Sequence, residues 1–108
     1  MTKYHNRRTE LDGIVFDSRR EANRYAELKL MERARLIRDL RLQVPFELIP
    51  ASRRNGKAIR AVHYVADFVY FDANDNLVVE DAKGMKTEVY KLKKKLMIWK
   101  YGIEIKEV

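Results

Sequence analysis

Two strand-like segments joined by a short polar turn limit what this chain can fold into. The first covers about residues 61–71, is largely apolar on both sides and contains a single acid, Asp67. The second runs from Leu77 to Lys83, and the five residues between them have the composition of a turn. A strand that is apolar on both sides is expected in the middle of a sheet covered on both faces. The chain is therefore predicted to place charged groups beside a central pair of strands.

Turn and cap residues predict the elements that precede this pair. Ser18 is a plausible N-cap for a helix reaching about residue 36, and Glu21 stands at the capping-box position three residues on. The other segments are a hairpin over 9–17 turning at Asp12-Gly13, a strand over 40–48 containing Pro45, and a polar loop or extended hairpin over 50–60 turning at Asn55-Gly56.

A second helix fits residues 87–101, from a cap at Thr87 to a stop at Gly102. Its expected core-facing stripe consists of Val89, Leu92, Leu96 and Trp99. A last short strand covers 103–108. The predicted fold class is α/β (α+β), a mixed central sheet flanked by helices, with the order α-β-β-β-α-β after the small N-terminal hairpin. No linker divides the chain, so residues 1–108 are predicted to form a single domain.

Composition narrows the classes of function. The 108 residues include no cysteine, which excludes disulfides, thiolate nucleophiles and cysteine-based zinc sites. The N-terminus lacks the apolar core of a signal peptide, and no apolar run could span a membrane. We therefore expect a cytoplasmic protein without a membrane partner. The formal net charge of +7 indicates a polyanionic partner, most simply nucleic acid.

Strand alternation assigns the acids to faces. Asp81 and Lys83 share one face of their strand, whereas Glu80 points to the other and is left out of the candidate site. Asp67 is expected on the same face as Val65 and Val69. Asp67 can lie beside Asp81 if the two strands pair through the turn, although the register of a hairpin is not fixed by sequence alone.

Two adjacent carboxylates near an apolar strand end predict a metal site. Their mutual repulsion is strong in a low dielectric, and a divalent cation such as Mg²⁺ removes it. Such a cation lowers the pKa of a bound water and neutralises charge on a phosphate. The ammonium of Lys83 could reach the same phosphate, so the pattern favours a site that cuts phosphodiester bonds.

The sequence Asp67…Asp81-Ala82-Lys83, with Ala66 at the usual proline position, resembles the PD-(D/E)XK nuclease superfamily. The resemblance covers about residues 16–108 and extends to the order of elements, a restriction-endonuclease-like core. The chain is similar to a small phage-encoded group of this superfamily and to archaeal-type Holliday junction resolvases. The resemblance implies a Mg²⁺- or Mn²⁺-dependent endodeoxyribonuclease, directed to branched DNA or nicking, in phage DNA recombination, replication or packaging. A phage-encoded enzyme would act in the cytoplasm of the bacterial host.

The same resemblance implies roles for individual residues. Glu21 on the first helix, Asp67 and Asp81 would be metal ligands together with the backbone carbonyl of Ala82, and Lys83 would be catalytic. Simpler interpretations stay open at this point. Glu21 could act only as a helix cap, Asp67 could pair with His63 or an arginine, and Asp81 with Lys83 could form an exposed pair on an edge strand. The alternative function is a non-catalytic nucleic-acid-binding module, and a phage factor that binds a host protein is a third.

Basic positions around the predicted site would contact the DNA backbone. They are Arg7, Arg8, Arg19, Arg20, Lys86, Tyr90, Lys91 and Lys94, with Arg53, Arg54 and Lys57 on the polar loop. Phosphate contacts of this kind give affinity without sequence preference, and no base-reading motif is present. A homodimer is one option for cutting two strands, and a nicking monomer is equally consistent with the sequence.

Overall fold

A computed structural model describes residues 8–83 and 85–108, and it confirms an α+β fold. Two helices flank a four-stranded mixed sheet with the strand order β3-β6-β7-β8, and two small hairpins complete the described part. The elements are β1 (Thr9–Leu11), β2 (Ile14–Phe16), α1 (Arg19–Arg33), β3 (Ile37–Ile49), β4 (Ser52–Arg54), β5 (Lys57–Ile59), β6 (Val62–Asp72), β7 (Leu77–Asp81), α2 (Glu88–Tyr101) and β8 (Lys106–Glu107).

The predicted central strand is β6, which pairs with β3 on one side and β7 on the other, both antiparallel. The 72–76 turn links β6 to β7 as predicted. Asp72 Oδ1 accepts hydrogen bonds from the backbone N–H groups of Asn74 and Asn76, each at 2.9 Å. β8 joins β7 in parallel, which makes the sheet mixed. This last strand has two residues rather than the six predicted.

The predicted helix caps are present. The N–H of Glu21 donates to Ser18 Oγ at 3.2 Å, and the N–H of Tyr90 donates to Thr87 Oγ1 at 3.1 Å. Gly102 ends α2 with a φ of 67°, a left-handed conformation that glycine adopts without strain. α1 ends at Arg33, three residues before the predicted end, because the chain turns away where Arg35 takes a φ of 61°.

Two apolar clusters lie on opposite sides of the sheet, one under each helix. The α1 cluster contains Phe16, Ala22, Tyr25, Leu28, Ile37, Phe68 and Tyr70. The α2 cluster contains Leu48, Tyr64, Ala66, Val69, Val79, Tyr90, Met97 and Ile105. β6 supplies residues to both clusters, as its two apolar sides predicted.

The strands β3 and β6 reverse their buried sides at the same level. In β6, Ala66 packs in the α2 cluster but Phe68, two residues later, packs in the α1 cluster. In β3, Leu42 lies against the α1 cluster and Val44 against the α2 cluster. Regular alternation would keep each of these pairs on one side. Gln43, at the reversal in β3, has a φ of 52°, a left-handed conformation that costs a non-glycine residue about 1–2 kcal/mol.

This reversal corrects the predicted placement of Asp67 on one face with Val65 and Val69. Val65 is 46% exposed, whereas Val69 is 1% exposed and belongs to the α2 cluster. Asp67 is the residue of β6 at which the buried side changes. Strict alternation through residues 61–71 therefore fails at the one acid in the strand.

The predicted core stripe of α2 is also wrong. Val89, Leu92 and Trp99 are 58–77% exposed, and Leu96 is only partly buried. The side that packs on the sheet instead contains Tyr90 and Met97. Both stripes recur at helical spacing, so periodicity alone does not separate them. Tyr90 can be buried because its hydroxyl donates to Glu107 Oε2 at 2.7 Å.

A buried ion pair joins α1 to the sheet. Glu80 is fully buried, and Arg24 donates to it through Nε at 2.8 Å and Nη2 at 2.7 Å. The Tyr70 hydroxyl donates to the same carboxylate, and Lys106 Nζ lies 4.0 Å from it. Glu80 thus points toward α1, away from Asp81, as alternation in β7 predicted.

Breaking this pair should destabilise the whole domain. We expect Arg24→Ala to lower the free energy of unfolding by about 3–5 kcal/mol, because it leaves the Glu80 carboxylate buried without its cation. Urea denaturation followed by circular dichroism measures the loss. Lys91→Ala is the control, since Lys91 and Glu88 form an exposed pair at 3.3 Å whose loss should change stability by less than about 1 kcal/mol. Equal effects of the two variants would contradict the assignment.

Candidate active site

Asp67 and Asp81 lie side by side on neighbouring strands. The paired part of β6 and β7 ends with Phe68 opposite Glu80, and Asp67 and Asp81 are the next residues along the two strands. Asp67 Oδ2 also accepts a hydrogen bond at 2.9 Å from the backbone N–H of Ala82, the residue after Asp81. The predicted juxtaposition of these two acids across the 72–76 turn is therefore present.

Asp81 is buried at the end of β7, with 1% of its surface exposed. Its Oδ2 accepts a hydrogen bond from the Tyr64 hydroxyl at 2.6 Å. Its Oδ1 receives no well-aligned hydrogen bond from the described residues, although Lys83 Nζ lies 3.2 Å away as an ion-pair partner. The interpretation of Asp81 and Lys83 as an exposed pair on an edge strand is wrong, because Asp81 is buried and β7 lies between β6 and β8.

Gln43 connects the third acid to this pair. Its Nε2 donates to Glu21 Oε1 at 2.9 Å and to Asp67 Oδ1 at 3.2 Å. Glu21 is 7% exposed and reaches the sheet from the first turn of α1, where its own N–H is capped by Ser18. Glu21 is thus positioned by the cap and contributes its carboxylate to the same cluster as Asp67. The proposed pairing of Asp67 with His63 or an arginine is replaced by these contacts with Gln43 and Ala82.

Sequence reasoning missed Gln43 and Tyr64, which together donate hydrogen bonds to all three carboxylates. Both looked like ordinary members of alternating strands. The only sequence signal for Gln43 is its polar side chain opposite Asp67 in a strand pair, and that signal requires the β3–β6 register to be known.

Burial and, secondly, the charge of Asp81 together raise the pKa of Asp67 to about 7, although the hydrogen bond from the Ala82 N–H acts in the opposite direction. Burial also raises the pKa of Glu21, with the nearby Asp17 charge as the second cause. The Tyr64 phenol has a raised pKa because it is buried and bonded to Asp81. The cluster therefore holds more negative charge than its own donors compensate.

The chemistry of this cluster fits a hard divalent cation. Among residues 8–83 and 85–108, no three acidic or histidine side chains stand ready-arranged around one point. The Gln43 amide lies between Glu21 and Asp67, and Tyr64 holds one oxygen of Asp81. What remains is a set of carboxylate oxygens, one of them buried without a well-aligned donor, and these are ligands that Mg²⁺ prefers.

Lys83 stands between the acid cluster and α2. Its Nζ lies 3.2 Å from Asp81 Oδ1 and 4.7 Å from the centre of the Tyr90 ring. These two contacts hold the ammonium in place. About 30% of the Lys83 side chain is exposed, so it is also open to solvent.

Glu107 gathers three of the predicted DNA-contacting residues. Lys86 Nζ lies 2.9 Å and Lys94 Nζ 3.2 Å from its carboxylate, and Tyr90 donates to it. The hydrogen bond from Tyr90 and those from the two lysines lower the pKa of Glu107 to about 2. This cluster carries a net positive charge. Glu107 itself was missed, because its sequence context is only a short terminal strand.

The other predicted DNA-contacting residues are not gathered at one point. Arg8, Arg19 and Arg20 are exposed before and at the start of α1, and Arg20 Nη1 donates to the Val108 carbonyl at 3.4 Å. Lys91 pairs with Glu88 on the exposed side of α2. Arg7 lies outside the described residues.

Comparison with known proteins gives one match. A family model described as "Protein of unknown function (DUF1064)" matches residues 1–107, so the chain belongs to that family. No curated protein and no solved structure matches it. Neither α1 nor α2, the helices of the described part, is long and apolar enough to cross a membrane.

Protonation of the acid cluster should govern the pH dependence of stability. The pKa of Asp67 is about 7 in the folded chain against 3.8 for an ordinary aspartate. The folded state therefore holds a proton that the unfolded state has lost, and stability should fall as pH rises from about 4 to 7. Glu107, with its lowered pKa, acts in the opposite sense only below about pH 4.5.

Asp67→Asn removes the titrating group, so we expect it to flatten this dependence. In EDTA, the variant should gain stability relative to the parent protein as pH rises from 5 to 8. Chemical denaturation at several pH values tests this. Parallel pH profiles of parent and variant would show that Asp67 is not the titrating group.

Proposed function

We propose that this member of the DUF1064 family is a Mg²⁺-dependent endodeoxyribonuclease that hydrolyses phosphodiester bonds in DNA. Branched or junction DNA, or nicking of one strand, is the proposed mode of action. The observation that carries the proposal is the cluster of Glu21, Asp67 and Asp81 with Lys83 at its open side. The proposed place of action is the bacterial cytoplasm, where phage DNA is recombined, replicated or packaged.

Burying carboxylates close to one another destabilises the folded chain, so this cluster calls for a functional explanation. Gln43 links Glu21 to Asp67, and the Ala82 N–H links Asp67 to the end of β7 next to Asp81. Glu21 and Asp67 have raised pKa values through burial and neighbouring charge. Nearby, Glu80 shows how the same fold neutralises a buried acid with a bidentate arginine. No arginine among residues 8–83 and 85–108 pairs with Glu21, Asp67 or Asp81 in this way, and their oxygens would hold Mg²⁺. When bound, the cation would supply charge neutralisation at a phosphate and a water of lowered pKa.

The neighbours of the acids orient them for this role. Tyr64 fixes Asp81 through its hydroxyl, and the Ala82 N–H fixes Asp67. The resemblance assigns the Ala82 carbonyl as a further ligand. The N–H of the same residue donates to Asp67, which keeps the backbone of Ala82 next to the cluster. Such supporting contacts set the positions of ligand oxygens before a cation arrives.

Lys83 is suited to the phosphate itself. Its ammonium is close to Asp81, is steadied by the Tyr90 ring, and is partly open to solvent. In that position it can stabilise the negative charge that develops on the phosphoryl oxygens, or orient the attacking water.

Positive charge on both sides of the cluster supports DNA as the substrate. Arg19 and Arg20 are exposed at the start of α1, in the same first helical turn as Glu21. Lys86 and Lys94 share a single carboxylate, Glu107, on the α2 side. Phosphates flanking the cleaved one could bind these groups, and the net charge of +7 would draw in any polyanion.

Metal-dependent cleavage is the direct test. Purified protein should nick or cut duplex, flapped or four-way-junction DNA in Mg²⁺ or Mn²⁺ and be inactive in EDTA. Asp81→Asn should reduce the rate at least about a hundredfold, since it removes a charge from the buried centre of the site. Lys83→Ala should reduce the rate while leaving metal binding nearly intact.

The matched control is Asp75→Asn, an exposed acid in the 72–76 turn that should keep full activity. Equal cleavage by the parent protein and Asp81→Asn would reveal a contaminating nuclease. Tight DNA binding with no cleavage in any metal would favour the non-catalytic binding module.

Gln43 gives a second test that does not depend on cleavage. In EDTA, Gln43→Ala should lower the free energy of unfolding by about 2 kcal/mol, because it removes two hydrogen bonds to charged groups. In saturating Mg²⁺ the deficit should shrink, since Glu21 and Asp67 no longer need the Gln43 donor once a cation neutralises them. Thermal shifts with and without Mg²⁺ measure both values. An equal deficit in the two conditions would mean that Gln43 is only a packing residue.

A further inference from the structure

Residues 50–60 extend the central strand pair into a basic β-ribbon. The β3–β6 register ends with Ile49 opposite Val62, and the β4–β5 register begins with Ser52 opposite Ile59. The two sets of pairs are in register across the break at Pro50 and Ala51. β3 with β4 and β5 with β6 therefore form one long two-stranded arm that ends in the Asn55-Gly56 turn.

All charged side chains in the outer part of this arm are basic. Arg53, Arg54, Lys57 and Arg60 lie within residues 50–60, and that segment has no acid. All six residues of β4 and β5 are exposed. Arg54 is opposite Lys57 on one face of the ribbon, and Arg53 is opposite Ala58 on the other, so each face presents at least one cation.

The length of the arm matches the length of one helical turn of B-DNA. From Gln43 and Asp67, at the acid cluster, to Arg54 and Lys57, near the tip, there are ten or eleven residues along each strand. At about 3.3 Å per residue this distance is roughly 33–36 Å. One turn of B-DNA is about 34–36 Å long. The described residues extend 53 Å along their longest axis, enough to contain such an arm.

We infer that the β4–β5 ribbon binds the groove of duplex DNA about one helical turn away from the phosphate at the acid cluster. The inference rests on the proposed nuclease function and specifies its substrate as DNA with at least one turn of duplex beside the cleaved bond. A two-stranded ribbon fits the major groove of B-DNA, which is about 12 Å wide. Because the site and the tip are one turn apart, both contact the same side of the double helix.

The test compares DNA binding on short and long duplexes. Fluorescein-labelled duplexes of about 8 and 20 base pairs, shorter and longer than one turn of DNA, are titrated with protein. The titrations are made in EDTA, which removes the metal that the proposed cleavage requires. The double variant Arg54→Ala/Lys57→Ala should bind the long duplex at least about tenfold more weakly than the parent protein and the short one nearly equally. Its salt slope on the long duplex should fall by about 2, close to 0.9 for each lost phosphate contact.

The matched control is Arg33→Ala/Lys95→Ala, which removes the same charge from exposed positions on the two helices. It should affect both duplexes equally and weakly. Circular dichroism confirms folding, which exposed substitutions should leave unchanged. A 20-base-pair RNA duplex should show no dependence on Arg54 and Lys57, because its major groove is too narrow for the ribbon.

Three outcomes would overturn the inference. They are equal weakening of the ribbon variant on both duplex lengths, equal weakening by the control variant, and an equal ribbon effect on duplex RNA. Mg²⁺-dependent cleavage by the parent protein distinguishes this failure from failure of the proposed function. If cleavage depends on Asp81 while binding ignores the ribbon, the nuclease stands and the ribbon inference falls. If the ribbon variant binds the long duplex more weakly but the parent protein does not cleave DNA, the ribbon inference stands and the proposed nuclease function falls.

Discussion

The reversal of the buried side at Gln43 and Asp67 is the constraint on which the rest of the structure depends. On one side of this level, β6 packs Phe68 and Tyr70 in the α1 cluster and Val69 in the α2 cluster. On the other side, its buried residues Tyr64 and Ala66 pack only in the α2 cluster. α1 therefore covers only part of the long strands, and the face opposite the α2 cluster stays open around Val65 and His63. The acid cluster lies at the boundary, where side chains from α1 and from both strands can meet. The left-handed Gln43 is the local cost of this arrangement.

Neighbouring residues of β7 show two opposite solutions for a buried acid. Glu80 is neutralised within the fold by Arg24 and Tyr70, and it ties α1 to the sheet. Asp81 faces the other way and has a tyrosine and a partly exposed lysine instead. A compensated charge serves the architecture, whereas an under-compensated one is characteristic of sites that bind a further group. The alternation of a single strand is what separates the two functions.

Much of the fold could be predicted because its signals are local. The caps at Ser18 and Thr87, the stop at Gly102 and the turn at 72–76 depend on residues close in sequence, and all are present. The hairpin then brings Asp67 to Asp81. Glu21 could be placed because a cap fixes the first turn of a helix.

The failures have a common physical origin. Strict alternation breaks at Asp67 and at Gln43 at the same level of the strand pair, a relation between residues 24 positions apart that no short window of sequence contains. The two stripes of α2 are both apolar, and only the sheet decides which is covered. Tyr64 and Glu107 belong to the candidate site because each contacts a residue 17 positions away in the chain. Pairings at such distances are set by tertiary packing rather than by propensity.

The exposed stripe of α2 has a practical consequence for spectroscopy. Trp99 is the only tryptophan in the chain, and it is 77% exposed. Its indole is already surrounded by water in the native state, so its emission changes little when the core melts. The same indole would respond strongly to any molecule that settles on the outer side of α2. In this protein, intrinsic tryptophan fluorescence is therefore a reporter of surface contacts, and folding must be followed by the backbone signal.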